Sequence, residues 1–276
     1  MKPLFIIIVL FRLCFGSDET YSLKQKYVLG KEYRYKEEAI WSFEIVGRVT
    51  ESGTSSTSQT KCLGYNEEGF LLLEQTMIDL IATQKTFGKM SADHEANALI
   101  GIPYTLFVDT LSGTVDHIET EFREFEEQIN SSVMGMGNSI DNRIYPFGMS
   151  AVDIKVGDSW NTPLDTVPFF MGDGAAGNFM TFKADYTLNK IKIKGKKKLA
   201  FVSGVHNISC HMEFMQDSKF FEGEISGKMK SKERFDLIEN MVVHEKVSGA
   251  LRWNFTLEDK NINATWEVSS KEKRIN

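Results

Sequence analysis

Thr181-Phe182-Lys183-Ala184-Asp185-Tyr186-Thr187-Leu188-Asn189-Lys190-Ile191-Lys192-Ile193 alternates apolar and polar residues over most of its length. Alternation with a period of two puts every second side chain on one face, the pattern of a strand with one face buried. Leu199 to Val205 repeats it on the far side of the turn Gly195-Lys196-Lys197-Lys198, so the two runs form a hairpin. Strand-like runs follow at Asn207 to Met215, Lys219 to Lys228, Met229 to Leu237, Met241 to Ser248, Ala250 to Leu257 and Ile262 to Val268. Upstream, Ile154-Lys155-Val156-Gly157-Asp158-Ser159-Trp160 places a Gly-Asp turn before a large apolar anchor and opens a second half of the chain.

The first half has the same character. Tyr33 and Tyr35 alternate with charged neighbours, and Ile40 to Val46 continues the strand pattern. Glu51 to Lys61, dense in Ser and Thr, reads as a turn at Glu51-Ser52-Gly53 followed by an exposed edge strand up to Cys62. Phe70 to Thr83 reads as a buried strand, with a helix as runner-up, and Ser91 to Leu99 as a short helix. Tyr104 to Asp109 and Val115 to Ile118 flank Leu111-Ser112-Gly113-Thr114 as a hairpin. One segment changes period: Ile118, Phe122, Phe125, Ile129 and Val133 recur every three or four residues, with glutamates between them. That spacing predicts one long amphipathic helix packed on the sheet. The expected fold is therefore mainly β, an antiparallel sandwich or an open or half barrel carrying that helix. The halves are 17–150 and 151–276, in one compact unit.

Residues 1–16 read as a secretory signal peptide. Lys2 precedes the apolar run Leu4 to Leu13, broken only by Arg12, and Cys14 and Gly16 are small residues ahead of a cut before Ser17. The remaining chain carries 30 basic and 38 acidic residues, a net charge of −8. An acidic secreted protein is a poor partner for nucleic acid or an anionic membrane. No second long apolar run offers a transmembrane anchor. Of the remaining cysteines, Cys62 and Cys210 either form one disulfide between the halves or stay as buried free thiols. A bridge closing so long a loop contributes about 4–5 kcal/mol in the chain-entropy model. Asn130, Asn207, Asn254 and Asn263 each begin an Asn-x-Ser/Thr triplet and are glycan acceptors if the host glycosylates.

Several pieces together resemble a family of secreted bacterial β-rich proteins known only as a domain of unknown function. They are Gly30-Lys31-Glu32-Tyr33-Arg34-Tyr35, the Phe107 to Ile118 hairpin, the helix leading to Tyr145-Pro146-Phe147, Val156-Gly157-Asp158-Ser159-Trp160, and Tyr186-Thr187-Leu188. The resemblance implies export and a β-dominated fold, and no catalytic residue. Gly30-Lys31-Glu32-Tyr33 is also similar to the start of large lipid-transfer proteins.

Chemical motifs are sparse. Gly172-Asp173-Gly174-Ala175-Ala176-Gly177 has dinucleotide spacing, yet a strand pattern follows it where a helix N-terminus is needed. His206 and Cys210 share one face of a strand about 13 Å apart, with His211 on the other, so they cannot converge on zinc. Neither Gly-x-Ser-x-Gly nor His-Glu-x-x-His occurs. The chain reads as a non-enzyme without cofactor or metal. Its richness in Phe (20) and Met (12), and the greasy segment Phe169, Phe170, Met171, Phe179 and Met180 around a Gly-rich centre, point to an apolar ligand such as a lipid. The alternative is an extracellular structural or protein-interaction domain, using Glu51 to Lys61 as its edge. A secreted hydrolase ranks last.

Overall fold

The computed structural model describes residues 19–86, 89–92, 99–125, 143–168, 179–216, 219–257 and 260–276. Among the described residues, thirteen strands form one sheet. In the first half they are β1 (Glu32–Ile45), β2 (Arg48–Tyr65), β3 (Leu71–Thr86), β4 (Lys89–Ala92), β5 (Pro103–Val108) and β6 (Val115–Glu119). In the second they are β7 (Ser159–Asn161), β8 (Asp165–Pro168), β9 (Phe179–Lys194), β10 (Lys197–Gln216), β11 (Lys219–Asp236), β12 (Met241–Leu257) and β13 (Lys260–Arg274). The order across the sheet is β6-β5-β3-β2-β1-β13-β12-β11-β10-β9-β7, with β4 on β3 and β8 on β9. Neighbouring strands are antiparallel, and the path is open, with β6 and β7 at its ends. The two halves meet where β1 pairs with β13, from Tyr35 opposite Arg274 to Ile45 opposite Ala264.

The strands are longer than the sequence pattern suggests. The runs on either side of His206, of Lys228-Met229 and of Gly249 are single strands, β10, β11 and β12, of 20, 18 and 17 residues. Gly249 reads as a break but lies inside β12, where a Cβ would sit 2.3 Å from the Lys228 carbonyl oxygen. Gly227 is as tight against the Ala250 carbonyl. These glycines let two strands approach closely without ending either one. The β1–β2 turn places both Val46 and Gly47 at positive φ, as a two-residue type I′ hairpin demands.

Four sequence expectations are corrected. The amphipathic helix is absent among the described residues: its first residues belong to β6, and Arg123–Phe125 is a single 3-10 turn. Residues 126–142, which hold the rest of that helix, lie outside the described residues. Ile118 packs instead with Leu106, Val108 and Val115 of the β5–β6 hairpin, so tertiary burial overrides helical spacing. Where Ser91 to Leu99 reads as a short helix, Ser91 and Ala92 are strand and Leu99 starts a short turn. Residues 93–98 lie outside the described residues. Glu51 to Lys61 is not an edge: it is part of β2, paired on both sides by β1 and β3. Lastly, Cys62 and Cys210 are free, buried thiols in different clusters, with β1, β13, β12 and β11 between their strands.

Loops close one end of the sheet. Tyr21, Leu23 and Gln25 donate backbone hydrogen bonds to Ile154, Ala151 and Ile144, and Gly30 donates to Cys62 in β2. This strap carries Tyr21 and Leu23 into a core with Phe147, Ala151 and Ile154, over Tyr186, Leu188, Val202 and Phe235. The Trp160 indole N–H donates to the Phe147 carbonyl at 2.8 Å, and its ring stacks on Tyr186. The Gly157-Asp158-Ser159-Trp160 and Tyr145-Pro146-Phe147 stretches thus form one anchor.

Gly249→Ala is expected to cost about 1–3 kcal/mol in urea unfolding, as overpacking against backbone does. The outward Ser248→Ala should stay within about 0.5 kcal/mol. Unfolded protein, without reductant, should react with a thiol reagent at both Cys62 and Cys210; a bridged pair would react at neither.

Candidate functional site

Alternation gives β1 and β9 to β13 a core face and an outer face. Register allows the core face to be followed row by row across six strands, from β9 to β1. The first row is Met180, Cys210, Ile225, Trp253, Ala264 and Ile45. The second is Phe182, Ile208, Gly227, Leu251, Trp266 and Phe43. The third is Ala184, His206, Met229, Gly249, Val268 and Trp41. With one histidine excepted, these rows are apolar.

They form a cluster unlike the other two. Met180, Ile208, Cys210, Met212, Ile225 and Leu251 are buried, with Phe182, Met229, Trp253 and Trp266 half-buried against them, and every member belongs to a strand. Trp253 packs edge-on against Phe43 at 5.8 Å and Trp266 at 6.4 Å. Its indole nitrogen is buried and has no acceptor among the described residues. A buried N–H without a partner costs free energy that a ligand acceptor would recover.

Further along the same face the chemistry changes. Tyr186, Gly204, Ser231, Val247, Ser270 and Ala39 form the fourth row. In the fifth, Glu233, Glu245, Glu272 and Glu37 stand directly opposite one another on β11, β12, β13 and β1. Glu233 is 6% exposed. Burial, then the Glu245 carboxylate, holds its carboxyl well above the ordinary range, against the effect of its hydrogen bond to Ser231. Ser231 Oγ lies 2.9 Å from His206 Nε2, and burial keeps His206 below its ordinary value, hence neutral. Tyr186 meets His206 edge-on at 5.6 Å. Burial, then Glu233 and Glu245, pushes the Tyr186 hydroxyl far above its usual value. Gly204 makes the space, since a Cβ there would lie 2.4 Å from Ser231 Oγ. The contacts run acid–Ser–His. A nucleophilic triad needs the acid on the histidine, so this cluster does not have that geometry.

The residues named from sequence fall as follows. Met180 is buried at the end of the first row. Phe179 starts β9 opposite Pro168 and His211, while Phe169, Phe170 and Met171 lie outside the described residues. Asn207, Asn254 and Asn263 sit in strands rather than loops, on the exposed face, with Asn254 directly opposite Asn263; Asn130 lies outside the described residues. His206 and Cys210 are on the core face and His211 is on the other.

Sequence reading missed three features, because each depends on pairing between strands. One is the apolar row set, another the glutamate row. The third is an exposed group, His211, Glu213 and Glu222, whose ligating atoms lie within 4.8 Å of one another. A shallow depression of about 510 Å³ is lined by Lys183, Asp185, Asn207 and Lys228 together with Leu164 and Ile208.

No family model and no curated protein matches the chain. Among solved structures it overlays lipovitellin, studied for its lipid–protein interactions, with 10% identity and a TM-score of 0.40, over 91% of this chain. It spans about a quarter (26%) of that lipovitellin chain. It overlays the β domain of the Bordetella autotransporter BrkA with 7% identity and a TM-score of 0.24, over 88% of this chain and 99% of that one. Overlays this loose carry no argument about this chain.

Glu233→Gln tests the acidic row. A carboxyl held above its ordinary value contributes stability that is complete below the unfolded Glu range and is lost as pH rises toward the native value. The variant should melt a few degrees higher than wild type at pH 8 and no differently at pH 4. Equal melting at both would mean that Glu233 is not buried as a neutral acid.

Proposed function

We propose that the protein is a secreted, non-enzymatic binding protein whose apolar rows hold an apolar ligand such as a lipid. The observation that carries this is the third cluster: apolar side chains contributed wholly by β9 to β13, with Phe43 of β1 against Trp253, and with Phe182, Trp253 and Trp266 left half-buried. Apolar area is the main source of affinity for such ligands, and aromatic and Met side chains adapt to their shape. The buried Trp253 N–H supplies one donor, which suits a ligand with a carbonyl or carboxylate at one point. Export rests on the reading of residues 1–16. The reading as a protein-interaction domain loses its edge strand, because β2 is interior.

The test is to express the chain through an oxidising secretory route, extract it with organic solvent and identify what is released by mass spectrometry. Roughly stoichiometric lipid is expected, and Trp253→Ala with Trp266→Ala should lower lipid retention about tenfold while the fold persists. A lipid-free protein whose tryptophan fluorescence ignores added fatty acid would contradict the proposal.

A further inference from the structure

The exposed face of the sheet carries a charge pattern that the net charge of −6 conceals. On β11, Lys228, Lys230, Lys232 and Arg234 are exposed and alternate with Met229, Ser231 and Glu233 on the core face. On β12 and β13, Lys246, Lys271 and Lys273 are exposed around the core-facing Glu245 and Glu272. Around this stretch Glu233, Glu245 and Glu272 face inward while the lysines beside them face outward; the outward acids Glu222, Glu224 and Glu267 lie further along the same strands.

Register gathers these bases into rows. Lys232, Lys246 and Lys271 stand directly opposite one another on three neighbouring strands. In the next row, Lys190, Phe201, Arg234, His244, Lys273 and Lys36 follow one another from β9 to β1. The single acid in these two rows is Glu38, opposite Lys271 and bridged to Lys36 at 3.1 Å. The Phe201 ring collects three cations: Lys190 at 5.3 Å, Arg234 at 5.6 Å and Lys192 at 5.9 Å. His244, between these groups, is held below its ordinary value by burial first, then by Arg234, Lys271 and Lys273. Like charges directly opposed across strands destabilise a sheet, so the fold carries this arrangement at a cost.

We propose that this face docks on an anionic lipid surface. The patch is two-dimensional: five strand spacings from β9 to β1 make about 24 Å, and Lys228 to Arg234 makes about 20 Å along the strand. A broad array of charge fits an array of headgroups, whereas a single-stranded nucleic acid is held in a groove with aromatic stacking platforms. The cations are nearly all lysines, compact point charges suited to a diffuse anionic surface, while phosphate-reading sites favour the arginine fork. Exposed Ile40 lies at its margin, and lysine stems cover apolar surface beneath a charged head. This proposal stands on the exposed face alone and is independent of the ligand on the core face.

Flotation with vesicles tests it. The full protein should float with phosphatidylcholine vesicles containing a third phosphatidylserine, stay behind with pure phosphatidylcholine, and be released by 0.5 M NaCl, which screens charges beyond about 4 Å. Lys232→Gln with Lys246→Gln and Lys271→Gln should weaken vesicle binding at least tenfold and leave the melting temperature equal or higher, because opposed like charges are removed. Lys260→Gln, at the far end of β13, should bind as wild type. Absence of flotation with anionic vesicles, or flotation that neither salt nor the triple variant weakens, overturns the proposal. So does selective binding of heparin or RNA with vesicles left untouched, which would assign the patch to another polyanion.

Discussion

The pairing of β1 with β13 holds the molecule together. Nearly the first and nearly the last described residues of the chain meet in the middle of the sheet, in a ladder from Tyr35–Arg274 to Ile45–Ala264. Because side chains alternate, a slip of one residue in this ladder would turn Trp41, Phe43 and Glu37 outward and Lys36 and Ile40 inward. The seam therefore sets the register of the apolar rows, the glutamate row and the lysine rows together. Arg274 helps to hold it: its guanidinium is buried and donates to Glu239 at 2.7 Å, in the β11–β12 turn, and Glu239 also bonds Lys31.

From that register follows a division of labour along one face. Where loops and the N-terminal strap cover the sheet, the core is closed by Phe147, Leu23 and Ile154. Beyond the glutamate row, apolar strand residues continue with their rings half-buried. Burying Glu233 in the neutral form, with Ser231 and His206 hydrogen-bonded beside it, satisfies polar groups that an open apolar sheet could not tolerate unpaired. The acids that face inward in β11, β12 and β13 are the neighbours of the bases that face outward, so a single alternation makes both surfaces.

Much of the fold is legible in local pattern. Thr181 to Ile193 declares β9, and the Tyr104 to Ile118 region declares the β5–β6 hairpin. What was illegible is long-range. Gly249 looks like a strand break until the Lys228 carbonyl is placed against it. Ile118, Phe122 and Phe125 have helical spacing, yet Ile118 is claimed by the β5–β6 core. Cys62 and Cys210 look like a pair until four strands are found between theirs. In sequence the greasy segment reads as a run, whereas Met180 is one end of a row contributed by six strands. The net charge likewise averages over faces that the sheet keeps apart.

The most direct measurement is an electron-density map of the protein as purified from a secretory host, read over Trp253, Trp266 and Phe43. The account predicts elongated, non-protein density lying along those rings, with a polar atom within hydrogen-bond distance of the Trp253 indole nitrogen. Rings sealed by the protein's own side chains, with no room for a ligand, would contradict it.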